Sequence, residues 1–331
     1  MQQKALYLLN SSAYDQIYGP GERAEIAALV DVFAPPQTSE SIRSDPAVLW
    51  EAEIILSGWG MPPVDAEFLA QAPQLRAIFY GAGSVRGFVT EALWQRVVVV
   101  TSSYAANAVP VAEYTLAATL FSLKHGWGFL QAIKRDGKFP PRTAVPGAYG
   151  STVGIVSLGM VGRLVVERLR PFDLRLIAYD PFVTPAEAAT LGVELVTLEH
   201  LFRVADVASL HTPWLPETVG MITGTHLASM KAGATFINTA RGAVVREDEM
   251  IAVLQRRPDL QAVLDVTYPE PPLPGSPLFS LPNVVLTPHI AGSRDAECRR
   301  MGRYAVDELQ RYLAGEPLHW QISRERAAVL A

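Results

Sequence analysis

Three residues of the kinds that move protons and grip anions stand just past short apolar runs. Arg241 follows residues 234–238, Glu270 lies in the loop after 260–265, and His289 follows 283–286. Short apolar runs bounded by turn residues read as buried strands. Parallel neighbours bring their carboxyl ends together, so residues distant in sequence can face one ligand. The chemistry that suits this set is hydride transfer to a ketone bearing a carboxylate. The carbonyl oxygen gains negative charge and needs a proton, and histidine is the donor best matched to neutral pH. His289 would supply it. A neighbouring carboxylate, Glu270, favours the imidazolium and orients the ring. A guanidinium, Arg241, gives a two-pronged hold on a substrate carboxylate, or a donor to the carbonyl, which lysine does not reproduce.

Each residue also has a plainer reading: a structural histidine, an arginine capping a strand end, a glutamate solvating a loop. Five prolines between Pro269 and Pro277 weigh against the last, because a stiff loop fixes a side chain at small entropic cost. His125, His200, His226 and His319 have no such company and read as structural or surface residues.

The stretch that must position these groups is residues 151–181, which reads as strand, tight turn, helix, strand. The apolar run 153–156 ends at small residues, Gly159 and Gly162 occupy the turn, and from Met160 to Leu169 the apolar residues recur at helical spacing until Pro171. A helix starting after a glycine turn offers unpaired N–H groups and the positive end of its dipole to a pyrophosphate. Asp180, at the tip of the next strand and 18 positions past Gly162, suits a ribose diol. Together these make a dinucleotide site. The glycine pattern lacks its first member, since Ser157 stands there. No Gly-Lys-Ser/Thr follows Gly159, so this is not a P-loop.

The 331 residues suggest two domains at about 150 each. With 49% apolar residues and a net charge of -5, neither disorder nor a nucleic-acid partner fits. The single cysteine, Cys298, excludes internal disulfides and multi-cysteine metal sites, and no metal is expected. No run is long enough for a membrane span or a signal segment, and a cytoplasmic protein is expected.

Residues 1–102 alternate strand and helix: strands at 5–9, 53–56, 75–79 and 97–100, helices at 21–33 and 65–71. The third strand runs into Tyr80-Gly81-Ala82-Gly83-Ser84, at the end where parallel sheets bind ligands. Residues 108–123 predict an almost wholly apolar helix, buried between domains or subunits, and 124–148 an irregular connection. The βαβ pattern then resumes through strands at 194–196, 206–210, 234–238, 260–265 and 283–286, with helices at 198–204 and 247–255. A last helix over 294–313 returns to the first domain. The fold class expected is α/β, two Rossmann-like or flavodoxin-like parallel-sheet domains with a cleft between them. The first, over 1–102 plus 294–331, is the substrate-binding (catalytic) domain, and 103–293 is the NAD-binding Rossmann domain.

In four places the chain resembles the D-isomer-specific 2-hydroxyacid dehydrogenases: Val153 to Gly162 with Asp180; Asn238-Thr239-Ala240-Arg241-Gly242-Ala243-Val244-Val245; Leu264-Asp265-Val266 through Glu270-Pro271; and Thr287-Pro288-His289-Ile290-Ala291-Gly292. The resemblance implies catalytic roles for Arg241, Glu270 and His289. It implies NAD contacts at Met160, Val161, Asp180, Thr212, Pro213, Thr218, Thr239, Ala240 and Asp265, the last to the nicotinamide carboxamide, beside Gly159 of the turn. Ala82 and Gly83 would match the loop that holds the substrate carboxylate, together with Arg241. A homodimer joined through the NAD-binding domain is also implied, which would account for the apolar helix. The substrate loop reads Gly83-Ser84-Val85 where many relatives have Gly-Val-Asp, so substrate preference is not inherited. The chain ends soon after the 294–313 helix, which implies a form without the regulatory extension of many phosphoglycerate dehydrogenases.

The expected activity interconverts a D-2-hydroxy acid and a 2-keto acid, with hydroxypyruvate, glyoxylate and phosphoglycerate types open. NAD is favoured over NADP because Asp180 repels a 2′-phosphate and no arginine follows it. A formate or phosphite dehydrogenase on the same fold, or an NAD-sensing corepressor-like binding protein, are the alternatives.

Overall fold

The structure is a computed structural model that describes residues 2–141 and 143–330. The chain divides into two compact units, Met1–Ala108 with Ser293–Ala331, and Val109–Gly292. The sequence places these divisions at 102/103 and 293/294. The first instead falls inside the helix Tyr104–Ser122. That helix contributes Ala106 to a core of the first unit and Ala112 and Ala118 to a core of the second.

The first unit is built on strands β1 (Lys4–Leu8), β2 (Asp31–Val32), β3 (Ile54–Ser57), β4 (Ala77–Tyr80) and β5 (Val99–Ser102). They form an all-parallel sheet in the order β2-β1-β3-β4-β5, the flavodoxin-like arrangement. Successive side chains of a strand point to opposite faces, and both faces are covered. Ala5, Tyr7, Leu56 and Phe79 pack with Met301, Ala305 and Leu309 of the helix Cys298–Ala314. Leu6, Leu8, Ile55 and Ile78 pack on the other side with Leu49, Phe68 and Leu93. The buried carboxylate of Glu308 accepts from the backbone N–H groups of His319 and Trp320 at 3.1 and 2.9 Å, which fixes the segment after the long helix.

The second unit carries β6 (Thr152–Val156), β7 (Arg175–Tyr179), β8 (Glu194–Leu195), β9 (Val207–Leu210), β10 (Thr235–Asn238), β11 (Gln261–Leu264) and β12 (Val284–Leu286). Their order is β12-β11-β10-β9-β6-β7-β8, again all parallel. The strand order reverses between β6 and β9, the topological switch point at which dinucleotides bind in such sheets. Because both faces are buried, the strands read as apolar runs rather than alternations, which is why most were visible in sequence.

Several elements differ from expectation. The helix expected over 21–33 runs Pro20–Leu29 and gives way to β2, and a further helix, Ser11–Ile17, precedes it. Pro20 sits at the first position of the second helix, where its missing N–H costs nothing. The connection expected to be irregular over 124–148 contains the helix Gly126–Asp136, stopped by Gly137 in the left-handed region. Its glycines Gly126 and Gly128 disguise it in sequence. The short helices Pro185–Leu191, Gly224–Ala228 and Arg324–Val329 were not anticipated, and the last long helix starts at Cys298 after a turn of 3-10 helix rather than at 294. No helix among the described residues is long and apolar enough to cross a membrane.

Candidate active site

Main-chain pairing sets one straight row across the second sheet. Tyr179 pairs with Val156, Val156 with Leu210, Leu210 with Asn238, Asn238 with Leu264, and Leu264 with Leu286. One residue past that row stand Asp180, Ser157, His211, Thr239, Asp265 and Thr287. The expected cofactor residues therefore begin at one edge of one sheet, and Arg241, Glu270 and His289 follow within a few residues on three adjacent strands.

At the glycine turn, Ser157 takes the left-handed conformation, with φ of 77°. A glycine would adopt this freely, and a serine is disfavoured there. Its hydroxyl lies 2.7 Å from that of Thr212, a hydrogen bond glycine could not make. Gly162 packs so tightly that a β-carbon would sit 2.1 Å from the Ser157 carbonyl oxygen, which explains why this glycine is retained. The ten-residue helix Met160–Leu169 begins at Gly159 with no side chain capping it. An uncapped helix N-terminus beside a carboxylate, at a switch point, fits the pyrophosphate and ribose of a dinucleotide. Asp180 does additional work here: its two oxygens accept from the backbone N–H groups of Leu158 and Phe182 at 2.7 and 2.8 Å, tying the turn to the end of β7. Thr218 directs its hydroxyl into its own loop, to the Pro213 carbonyl at 2.6 Å and the Leu215 N–H at 2.8 Å.

The structure brings His289 and Glu270 together. His289 Nδ1 lies 2.6 Å from Glu270 Oε1, with both side chains about half exposed, at 48% and 41%. His289 itself has φ of 52° and is held by its N–H to the carbonyls of Asp265 and Thr287, both at 3.0 Å. The buried Asp265 fastens the rest of the loop. Its Oδ1 accepts from Thr287 Oγ1 at 2.6 Å and from Ile290 N–H at 2.9 Å, and its Oδ2 from Ala291 N–H at 2.9 Å. The side chain expected to face a carboxamide is thus engaged inside the protein, shaping the segment that carries the histidine.

Arg241 is positioned by the buried Asn238, whose side chain donates to the Arg241 carbonyl at 3.1 Å and accepts from Ala240 N–H at 3.0 Å. Its guanidinium donates to the Ala240 carbonyl at 2.6 Å and makes no salt bridge among the described residues. Burial pushes the Arg241 guanidinium below its ordinary value, and the negative charge of Glu270 opposes that shift. The next residue, Gly242, lies against main chain: a β-carbon there would come within 2.0 Å of the Thr267 carbonyl carbon. The turn bearing Arg241 and the loop bearing Glu270 are therefore packed backbone to backbone.

In the first unit, Ala82 is fully buried with its side chain in the core, so only its backbone can meet a ligand. Ser102 Oγ lies 3.0 and 2.5 Å from the carbonyls of Ala82 and Gly83 and fixes that loop. His211 is a strand-end histidine the sequence reading did not weigh. It is buried, with Nε2 2.9 Å from Ser209 Oγ, and burial pushes it down to about 3, so it stays neutral where His289 is free to meet solvent and ligand. Among the described residues no group of three or more His, Cys, Asp or Glu could hold a metal ion.

Residues 117–291 match the family model for the D-isomer specific 2-hydroxyacid dehydrogenase, NAD binding domain. The D-3-phosphoglycerate dehydrogenase of Mycobacterium bovis is 36% identical over 255 residues, 76% of this chain and 48% of that one. The chain thus spans about half the length of that relative. The (S)-sulfolactate dehydrogenase of Chromohalobacter salexigens is 35% identical over 253 residues, 76% of this chain and 81% of that one. Among solved structures, a D-isomer specific 2-hydroxyacid dehydrogenase from Xanthobacter autotrophicus Py2, in complex with NADPH and MES, superposes with a TM-score of 0.77 at 26% identity. That match covers 99% of this chain and 100% of the other.

Proposed function

Since the chain belongs to the D-isomer specific 2-hydroxyacid dehydrogenase family, with NAD as its cofactor, we propose that it interconverts a D-2-hydroxy acid and a 2-keto acid. The observation that carries this reading is the His289–Glu270 pair at 2.6 Å together with Arg241, whose guanidinium makes no salt bridge among the described residues. NADH, held at the uncapped start of the Met160–Leu169 helix and by Asp180, would supply the hydride for the carbonyl carbon. Arg241 holds the substrate carboxylate and polarises the carbonyl. His289, protonated at Nε2 and oriented through Nδ1 by Glu270, gives its proton to the oxygen as charge develops there. In the reverse direction the same nitrogen takes the proton back.

The test is NADH oxidation across pyruvate, hydroxypyruvate, glyoxylate and 3-phosphohydroxypyruvate, repeated with NADPH. Turnover of at least one acid, with NADH preferred, is expected. The preference follows from Asp180, whose carboxylate at the end of β7 would repel a 2′-phosphate. Cofactor binding without turnover on any keto acid would favour a corepressor-like binding protein instead, and a preference for NADPH would overturn the cofactor reading.

We also infer a homodimer joined through the second unit. The helix Gly126–Asp136 and the segment after it expose Leu130 and Phe139. In sequence they adjoin Phe129 and Pro140, which line a cavity of about 330 Å³ with His125, Trp127 and Gln261. Exposed apolar side chains beside such a recess suit a surface covered by a second copy. Light scattering should give twice the 36.0 kDa chain mass, and a monomer mass at micromolar concentration would remove this reading.

A further inference from the structure

Tyr114 lies on the apolar helix Tyr104–Ser122, and its phenol oxygen is 2.8 Å from Thr287 Oγ1. Thr287 Oγ1 is in turn 2.6 Å from Asp265 Oδ1. A threonine hydroxyl has one hydrogen to give. Asp265 already accepts from two backbone N–H groups as a carboxylate, so Thr287 must donate to it. Thr287 can then only accept from Tyr114. The direction of the chain is fixed: Tyr114 O–H to Thr287, Thr287 O–H to Asp265. Asp265 holds the N–H groups of Ile290 and Ala291 through its side chain and that of His289 through its carbonyl, so the chain ends on the residues that keep His289 at φ of 52°.

The neighbouring residue repeats the pattern. Thr115 Oγ1 gives its hydrogen to the Val111 carbonyl at 2.8 Å and so accepts from Thr239 Oγ1 at 3.2 Å. Two consecutive side chains of one helix thus fasten the loops after β12 and β10.

We propose that Tyr114 is a positioning residue for the acid His289, acting through Thr287 and Asp265. The proposal rests on the dehydrogenase reading above. Burial pushes the Tyr114 phenol above its ordinary value; the Thr287 hydrogen bond opposes this and the Asp265 charge adds to it. The phenol therefore keeps its proton and remains a donor. Hydrogen-bonded chains of this kind are coupled, so cutting one link removes the influence of those beyond it.

The test is a double-mutant cycle on the full chain with Tyr114→Phe and Thr287→Val, read by steady-state kinetics and by the imidazole NMR signal of His289, assigned by its loss in His289→Gln. Tyr114→Phe should lower kcat roughly threefold to tenfold with little change in KM for NADH or keto acid, and should shift the His289 signal. In the Thr287→Val background it should do neither. Thr287→Ser, which keeps the hydroxyl, should restore the dependence on Tyr114. An equal effect of Tyr114→Phe in both backgrounds, or an unmoved His289 signal, would overturn the proposal. The NMR arm decides it even if the chain reduces no 2-keto acid, an outcome that would instead count against the dehydrogenase reading.

Discussion

Replacing His289 by alanine should lower kcat for keto acid reduction by about a hundredfold or more, with KM for NADH little changed. General acid catalysis by a placed side chain contributes on the order of 10² to 10⁴ in rate, and a hundredfold corresponds to about 2.7 kcal/mol of barrier. The structure gives no understudy. His211, the other histidine at a strand end of this sheet, is buried and held neutral. In the proposed mechanism Glu270 acts through the imidazole, whose Nδ1 lies 2.6 Å from its carboxylate. Water would have to serve as the acid, without orientation. Because His289 is half exposed and its backbone is fixed by Asp265, truncation at the β-carbon should leave the loop in place, so the loss belongs to the chemical step. Steady-state kinetics with an unchanged melting temperature would check this, and near wild-type kcat would remove histidine from the mechanism.

Arg241→Lys should cost roughly a hundredfold in kcat/KM for the keto acid, and the deficit should grow with rising pH. Loss of a single preorganised donor to a developing oxyanion costs on the order of 10² to 10³. Lysine keeps a charge but loses the planar fork that grips a carboxylate at two points. Burial already pushes the guanidinium down. A guanidinium can bear that shift and remain charged at any working pH, whereas a lysine under the same desolvation would lose its proton at much lower pH. The wild type and the lysine variant should therefore diverge as the medium becomes alkaline. A parallel pH dependence for the two would show that the arginine acts by shape alone, and an unchanged KM would take the substrate carboxylate away from it.

Much of the second unit was legible because doubly covered parallel strands are written as apolar runs, and each run stops at the residue that leaves the sheet. Val156 gives way to Ser157, Asn238 to Thr239 and Leu286 to Thr287. The Glu270 and His289 pairing could be anticipated for that reason. What could not be read depends on contacts made far along the chain. Asp265 looks like any strand-end acid until residues 287–291 fold back over it. Tyr114 looks like core in an apolar helix, and its partner lies 173 positions away. His211 and His289 are equivalent in pattern, each near the end of a strand, and only packing separates a silenced imidazole from an available one. The helix Gly126–Asp136 was hidden by two glycines in its first turn.

The row running from Tyr179 through Val156, Leu210, Asn238 and Leu264 to Leu286 is made by main-chain pairing alone. Slippage of one strand by a single residue would carry its terminal group about 3.3 Å along and onto the opposite face. Precision at this edge is thus stored in the sheet interior, remote from any ligand. The tips beyond the row can be rewritten for another acid while the ruler beneath them stays as it is.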